Sequence, residues 1–161
     1  MKKAFAILTA GAMTASLSLS VSAATIVPDN TTGNTTVKYQ VNPSYIVEIP
    51  AEVTLKSDQA VTDSLKIYGE DANHPVLIAS NQEVQVSVNG SSAFSVTYAD
   101  DTLEYDLTVE DTVIAPGDQV ASARSNQTAE KTLSFSAPKS TAVYAGEYTG
   151  AITFDVTLAT V

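Results

Sequence analysis

The sequence predicts an all-β protein, an antiparallel β-sandwich, and three observations carry that prediction. Apolar residues recur at every second position in nine separate runs, the period of a strand with one buried and one wet face. Turn-forming clusters rich in Asn, Asp, Gly, Pro and Ser stand between the runs. No twelve-residue window after the N-terminal segment carries the 3.6-residue stripe of an amphipathic helix. Short strands at regular spacing with one polar face each bury their inner faces sheet against sheet.

Taken in order, the chain opens with an export signal. Lys2 and Lys3 precede an apolar, small-residue stretch from Ala4 to about Val21, and Val21-Ser22-Ala23 offers the small residues that a signal peptidase reads. Thr9, Gly11, Thr14, Ser16, Ser18 and Ser20 dilute the stretch too much for the roughly 20 apolar residues of a membrane anchor. Residues 1–23 are thus expected to be removed, with the cut after Ala23 or Ala24, leaving nothing that inserts in a membrane. Residues 24–35 are Thr, Asn, Asp, Gly and Pro with only Ile26 and Val27 to bury, a flexible leader. The sandwich domain is expected over 36–161.

The expected strands carry Val37/Tyr39/Val41, Tyr45/Val47/Ile49, Val53/Leu55, Leu65/Ile67, Val84/Val86/Val88, Phe94/Val96/Tyr98, Leu103/Tyr105/Leu107/Val109 and Leu133/Phe135 on their inner faces. The last and longest runs through Tyr148, Gly150, Ile152, Phe154, Val156 and Leu158. Pro50 cannot donate to a ladder and should end or bulge its strand. Turns are expected at Asn42-Pro43-Ser44, Asn89-Gly90-Ser91-Ser92, Asp100-Asp101, Ala115-Pro116-Gly117-Asp118, Ala137-Pro138 and Ala145-Gly146. Roughly 125 ordered residues suffice for one core without a disulfide.

Charge and composition narrow the function. The 161 residues hold 18 acidic and 8 basic side chains, a net charge of −10; losing Lys2 and Lys3 with the signal takes it to −12. Nucleic acid and anionic membrane surfaces are poor partners for such a chain. With no Cys and one His, thiol nucleophiles, Cys-ligated metals and two-imidazole sites are excluded. The chain also has no lipid-attachment Cys and no LPxTG-type sorting sequence, so the expected locations are free secretion or a cell surface held by non-covalent contacts.

Two segments carry a family resemblance. Residues 36–55, an alternating strand, a Pro turn and then Tyr45-Ile46-Val47-Glu48-Ile49-Pro50, resemble the opening of small secreted proteins of Gram-positive, chiefly gut-dwelling, bacteria. Residues 144–158, from Tyr144-Ala145-Gly146-Glu147-Tyr148 onward, resemble the last strand of that group and of the WxL cell-surface domains. The resemblance implies an exported immunoglobulin-like β-sandwich, and WxL members are held on the wall by peptidoglycan binding. This chain has no Trp, and Phe154-Asp155-Val156 stands where the second W-x-L tripeptide would be. The same ending is similar to that of some fimbrial major subunits, which finish with A-G-x-Y-x-G and an alternating strand.

Residues with chemical potential are few. Asp100, Asp101, Glu104, Asp106, Glu110 and Asp111 place six carboxylates in twelve residues, and Asp100 with Asp101 form the candidate Ca²⁺ ligands. Their spacing lacks the D-x-D-x-D-G loop, and a solvated strand face is the expected role. His74 lies in the polar turn Glu70–Pro75 with no nucleophile elbow in the sequence, and is expected at the surface. Of Tyr39, Tyr45, Tyr68, Tyr98, Tyr105, Tyr144 and Tyr148, most are in phase with an inner face; Tyr144, in a turn, is the candidate binding residue. Lys38, Lys66 and Lys131 fall on polar phases, away from any buried Asn and acid that an isopeptide bond would need. No catalytic residue, cofactor or resident metal is expected. The sequence reading is a non-enzymatic interaction module whose partner is the cell wall, a glycan or another surface protein. The alternatives are a fimbrial subunit that assembles by strand donation from residues 25–36, and a carbohydrate-binding module.

Overall fold

A computed structural model describes residues 5–9, 37–90 and 93–161. The expected signal and leader therefore lie outside the described residues, apart from the backbone of Phe5–Thr9. Among the described residues the chain is all-β with no helix, and every strand pairing is antiparallel. In sequence order the strands are β1 (Phe5–Thr9), β2 (Ile46–Pro50), β3 (Val61–Tyr68), β4 (Gln82–Asn89), β5 (Ser95–Tyr98) and β6 (Asp101–Glu104). They continue with β7 (Leu107–Val109), β8 (Thr112–Ile114), β9 (Gln119–Arg124), β10 (Ala129–Phe135) and β11 (Thr153–Thr160).

One sheet runs β1-β2-β3-β10-β7-β8, a second runs β11-β4-β9, and β5-β6 form a separate hairpin. The alternation dictates what they bury. Leu65 and Ile67 of β3 and Leu133 of β10 face Val84, Val86 and Val88 of β4, and all six are fully buried. Their outward neighbours are polar, and Lys66 pairs with Glu130 at 3.2 Å across β3 and β10, as the phase expected of Lys66 requires. Lys131 likewise pairs with Glu110 at 2.7 Å, and Lys38 is exposed. No polar or charged residue is buried among the described residues.

Several elements, among them the unexpected short strand β8, differ from the sequence expectation. Val37, Tyr39 and Val41 alternate like a strand but pair with nothing among the described residues, and they stand 88%, 90% and 51% exposed. Within 37–161 the first paired residue is Ser44, which exchanges backbone hydrogen bonds with Leu77 at 2.8 and 2.9 Å. β2 does end at Pro50, and the Val53/Leu55 run that follows is unpaired.

The expected single strand over 103–109 is divided. Ser136 donates its hydroxyl to the carbonyl of Ala137 and accepts from the Asp106 amide at 2.9 Å, while its own amide bonds the Asp106 carbonyl. These contacts turn the chain at Asp106, so β6 pairs with β5 and β7 with β10. The last strand starts at Thr153 rather than Tyr148, because Thr149 bridges Thr97 of β5 instead of continuing along β4.

β9 was not anticipated. Its inner residues Val120, Ala121 and Ala123 are buried, but two of them are Ala, which gives little hydrophobic signal. Its register against β4 shifts between Val86 and Ser87, a bulge that turns both Val120 and Ala121 toward the core and breaks the period-two pattern.

Candidate functional site

Where β2 and β11 leave their sheets, the sandwich opens into a groove of about 980 Å³. One wall is the unpaired stretch 51–57, with Val53 and Leu55 half-buried against the core. The other is 146–152 running into β11, where Ile152 and Phe154 are half-buried. Tyr105 and Phe135 form the floor, and Lys56, Lys139, Glu52 and Glu147 stand at the rim.

Glycine lets the second wall close on the β5-β6 hairpin. A Cβ at Gly150 would strike the Ser95 carbonyl, and one at Gly146 would strike the Tyr98 ring. The Thr149 amide and carbonyl bond Thr97 at 3.0 and 2.8 Å, which fixes the strand entry that the A-G-x-Y-x-G pattern marks. Apolar floor, polar rim and backbone-lined walls suit the binding of an extended or flat ligand by contact and hydrogen bonding.

Asp101 and Tyr148 latch one end of this groove. The Tyr148 hydroxyl donates to Asp101 Oδ2 at 2.6 Å, and the Val143 amide donates to the same oxygen at 2.8 Å. The Tyr148 hydroxyl oxygen also lies 3.2 Å from the Tyr144 amide, which donates to it. The Tyr148 hydroxyl hydrogen bond, with the Val143 amide second, holds the Asp101 carboxyl below its ordinary range. Burial first, and Asp101 second, raise the pKa of the Tyr148 hydroxyl. Asp101 thus ties the 139–148 loop to β6. Asp100, the other candidate Ca²⁺ ligand, is exposed in the β5-β6 turn and has no part in this latch.

Of the remaining acids in the run, Asp106 sits at the junction between β6 and β7 rather than on a strand face and pairs with Lys139 Nζ at 2.7 Å, and Glu110 pairs with Lys131. The structure therefore spreads the six carboxylates over a latch, two ion pairs and solvent. Tyr144, the candidate binding residue, is 44% exposed, and its backbone is held by Tyr148. The expected inward phase fails for Tyr39 and Tyr98, which are 90% and 40% exposed, and is met by Tyr105 at 7%.

His74 lies on the surface turn before the buried Val76. Its Nδ1 is 2.8 Å from Asp71 Oδ2, and the hydrogen bond and charge of Asp71 raise its pKa. Asp71 is in turn held below its ordinary value, first by the Asn73 amide and then by His74. With Glu70 the two could offer a metal three ligand atoms within 4.8 Å of one another, all on exposed residues. Sequence reasoning placed His74 in this turn but did not pair it with Asp71, because the i, i+3 approach depends on the backbone bond from the His74 amide to the Asp71 carbonyl.

Among the described residues no helix is long and apolar enough to cross a membrane. No family model matches the chain, and no curated protein matches it in sequence.

Proposed function

We propose that the protein is an exported, immunoglobulin-like interaction module that works by binding rather than by catalysis, at the cell surface or in the medium. Export rests on the three-part N-terminus, whose two lysines, apolar stretch and small-residue cut site match a secretory signal. The single observation that carries the binding role is the groove between the 51–57 and 146–154 segments. Its floor of Tyr105 and Phe135, with Phe154 in the wall, offers contact area, and its walls leave backbone groups for hydrogen bonds. Of the charged residues at its rim, Lys139 is paired with Asp106, and the adjoining 139–148 loop is tied to Asp101.

The test is retention of the secreted protein on purified peptidoglycan and on a glycan array, with Ile152→Asp as the groove variant. Retention that the variant loses supports the reading. Retention on neither, or retention equal in the variant, refutes the groove as the contact surface.

A second reading, a subunit that assembles by strand donation, is favoured by one observation: the β2 edge accepts a strand from elsewhere in the chain, Phe5–Thr9, with Thr9 opposite Ile46 and Phe5 opposite Pro50. The donor expected from sequence, residues 25–36, lies outside the described residues.

A further inference from the structure

The segment between β10 and β11 wraps around the β5-β6 hairpin. On the edge of β6 away from β5, the Lys139 amide donates to the Glu104 carbonyl at 2.8 Å. At the hairpin's end, the Val143 amide and the Tyr148 hydroxyl both donate to Asp101 Oδ2, and Gly146 lies against the Tyr98 ring. On the β5 side, Thr149 and Thr97 exchange backbone bonds at 3.0 and 2.8 Å. Residues 139–149 thus form a strap with two legs and a tip, and both legs line the groove.

The three attachments differ in kind. Each leg is held by backbone hydrogen bonds, and the first also by the Lys139–Asp106 ion pair at 2.7 Å. The tip is held through side chains that converge on one carboxylate, with the Tyr144 amide bonded in turn to the Tyr148 hydroxyl. Residues 139–147 are all exposed, so the tip has no buried side chain of its own to keep it in place. A segment with little buried surface and few fixed points opens at low cost. Beside it, Leu103 of β6 lies between the Glu104 and Asp101 attachments and lines the groove, yet is 5% exposed.

We propose that the 139–149 strap is a gate on the groove: latched at Asp101 it closes the groove beside Leu103, and release of the tip lifts residues 140–147 off the β6 edge and opens it. What the gate admits rests on the binding reading above. A ligand that reaches this end of the groove selects the released state, so the latch sets the fraction of molecules ready to bind.

The chain has no Cys, so one introduced thiol reports on one place. Leu103→Cys is made in the full chain with and without Asp101→Ala, and its labelling by a small uncharged maleimide is timed at pH 7. Val96→Cys, half-buried in the groove and opposite Leu103, is a second probe in which truncation removes less packing. Val86→Cys, in the fully buried core of β4, reports opening of the whole domain. The expected result is slow labelling at Leu103→Cys that Asp101→Ala speeds by about tenfold or more, the factor that loss of a charge-assisted hydrogen bond supplies. Val96→Cys follows in the same direction, and Val86→Cys keeps its rate.

Unchanged labelling at both groove probes overturns the gate. So does labelling of Leu103→Cys at the rate of a free thiol in the latched protein, since the groove is then open already. An equal rise at Val86→Cys overturns it too, as general loosening. Asp100→Ala removes the same charge one residue away without touching the latch, and an equal rise there overturns the gate as an effect of charge on the thiol. No ligand enters the measurement, so each of these results leaves the binding reading to its own test on peptidoglycan and glycans.

Discussion

Tyr105 joins the β5-β6 hairpin to the main core, and its replacement measures how much of the fold depends on that junction. The side chain is 7% exposed, and its ring lies 6.1 Å from Phe94 and 6.4 Å from Phe135, centre to centre. Truncating a buried aromatic to Ala costs about 3–5 kcal/mol through lost burial and a residual cavity. Here the aromatic pairing on both sides places the expected loss near the upper half of that range, about 4 kcal/mol. A domain stable by ~5–15 kcal/mol would lose a large share of its margin.

Tyr105→Phe keeps the ring and both pairs, so it should change stability by less than ~1 kcal/mol. Burial alone raises the Tyr105 pKa, and the sign of the pH effect follows. Below the unfolded-state value of about 10 the contribution is whole, and it is lost as pH rises from there through the higher folded value. Tyr105→Phe should therefore soften the alkaline fall in stability, to which Tyr68, Tyr148 and Lys139, all raised, also contribute. Urea unfolding followed by circular dichroism at pH 7 and across pH 9–12 measures both effects. An Ala variant within ~1 kcal/mol of the parent, or a Phe variant as damaged as Ala, would refute the packing argument.

Further expectations concern the groove wall and the surface turn. Gly150→Val should drive the 149–152 wall off the Ser95 carbonyl and cost about 1–3 kcal/mol, read as a lower melting temperature; an unchanged melting curve sinks the close-approach argument. Tyr148→Phe should free the 139–148 loop, seen as faster amide exchange at Val143 and quicker proteolysis within the loop. The same latch should loosen in acid: Asp101 has a lowered folded pKa, so its contribution is present above the unfolded value near 3.9 and is lost as pH falls through the folded one. Protection of Val143 that is the same in the variant and at low pH would count against the latch. His74, raised by Asp71, should titrate by NMR above the ordinary value of about 6.5 and return toward it in Asp71→Asn; its stabilisation is whole below that value and fades as pH rises through the folded pKa. An unmoved midpoint in the variant would dissociate the pair.

Much of the fold was legible in the sequence where apolar residues are large and alternate without interruption. Val84, Val86 and Val88 are buried as read, and Leu65, Ile67, Leu133 and Phe135 are too. Legibility failed where the period is broken or weak. β9 hides because a bulge sets Val120 and Ala121 side by side and Ala carries little signal. The 103–109 run reads as one strand because its period never slips, although Ser136 divides it at Asp106. The candidate site was less legible still. Tyr148 reads as an inward strand residue and Asp101 as one of a solvated run of acids with only a candidate role in cation binding, and their meeting across 47 positions is a product of the fold.

Alternation by itself determined that this protein is built of antiparallel strands with polar outer faces, because the pleat forces every second side chain to the same side. It also determined that the acidity lies at the surface, since no charged residue falls on a buried phase among the described residues. Only the tertiary structure decided which alternating runs find partners. Val37/Tyr39/Val41 and Val53/Leu55 have the same period as β4 and stay unpaired among the described residues. A strand's period is local, whereas the hydrogen bonds that complete it come from residues far away in sequence.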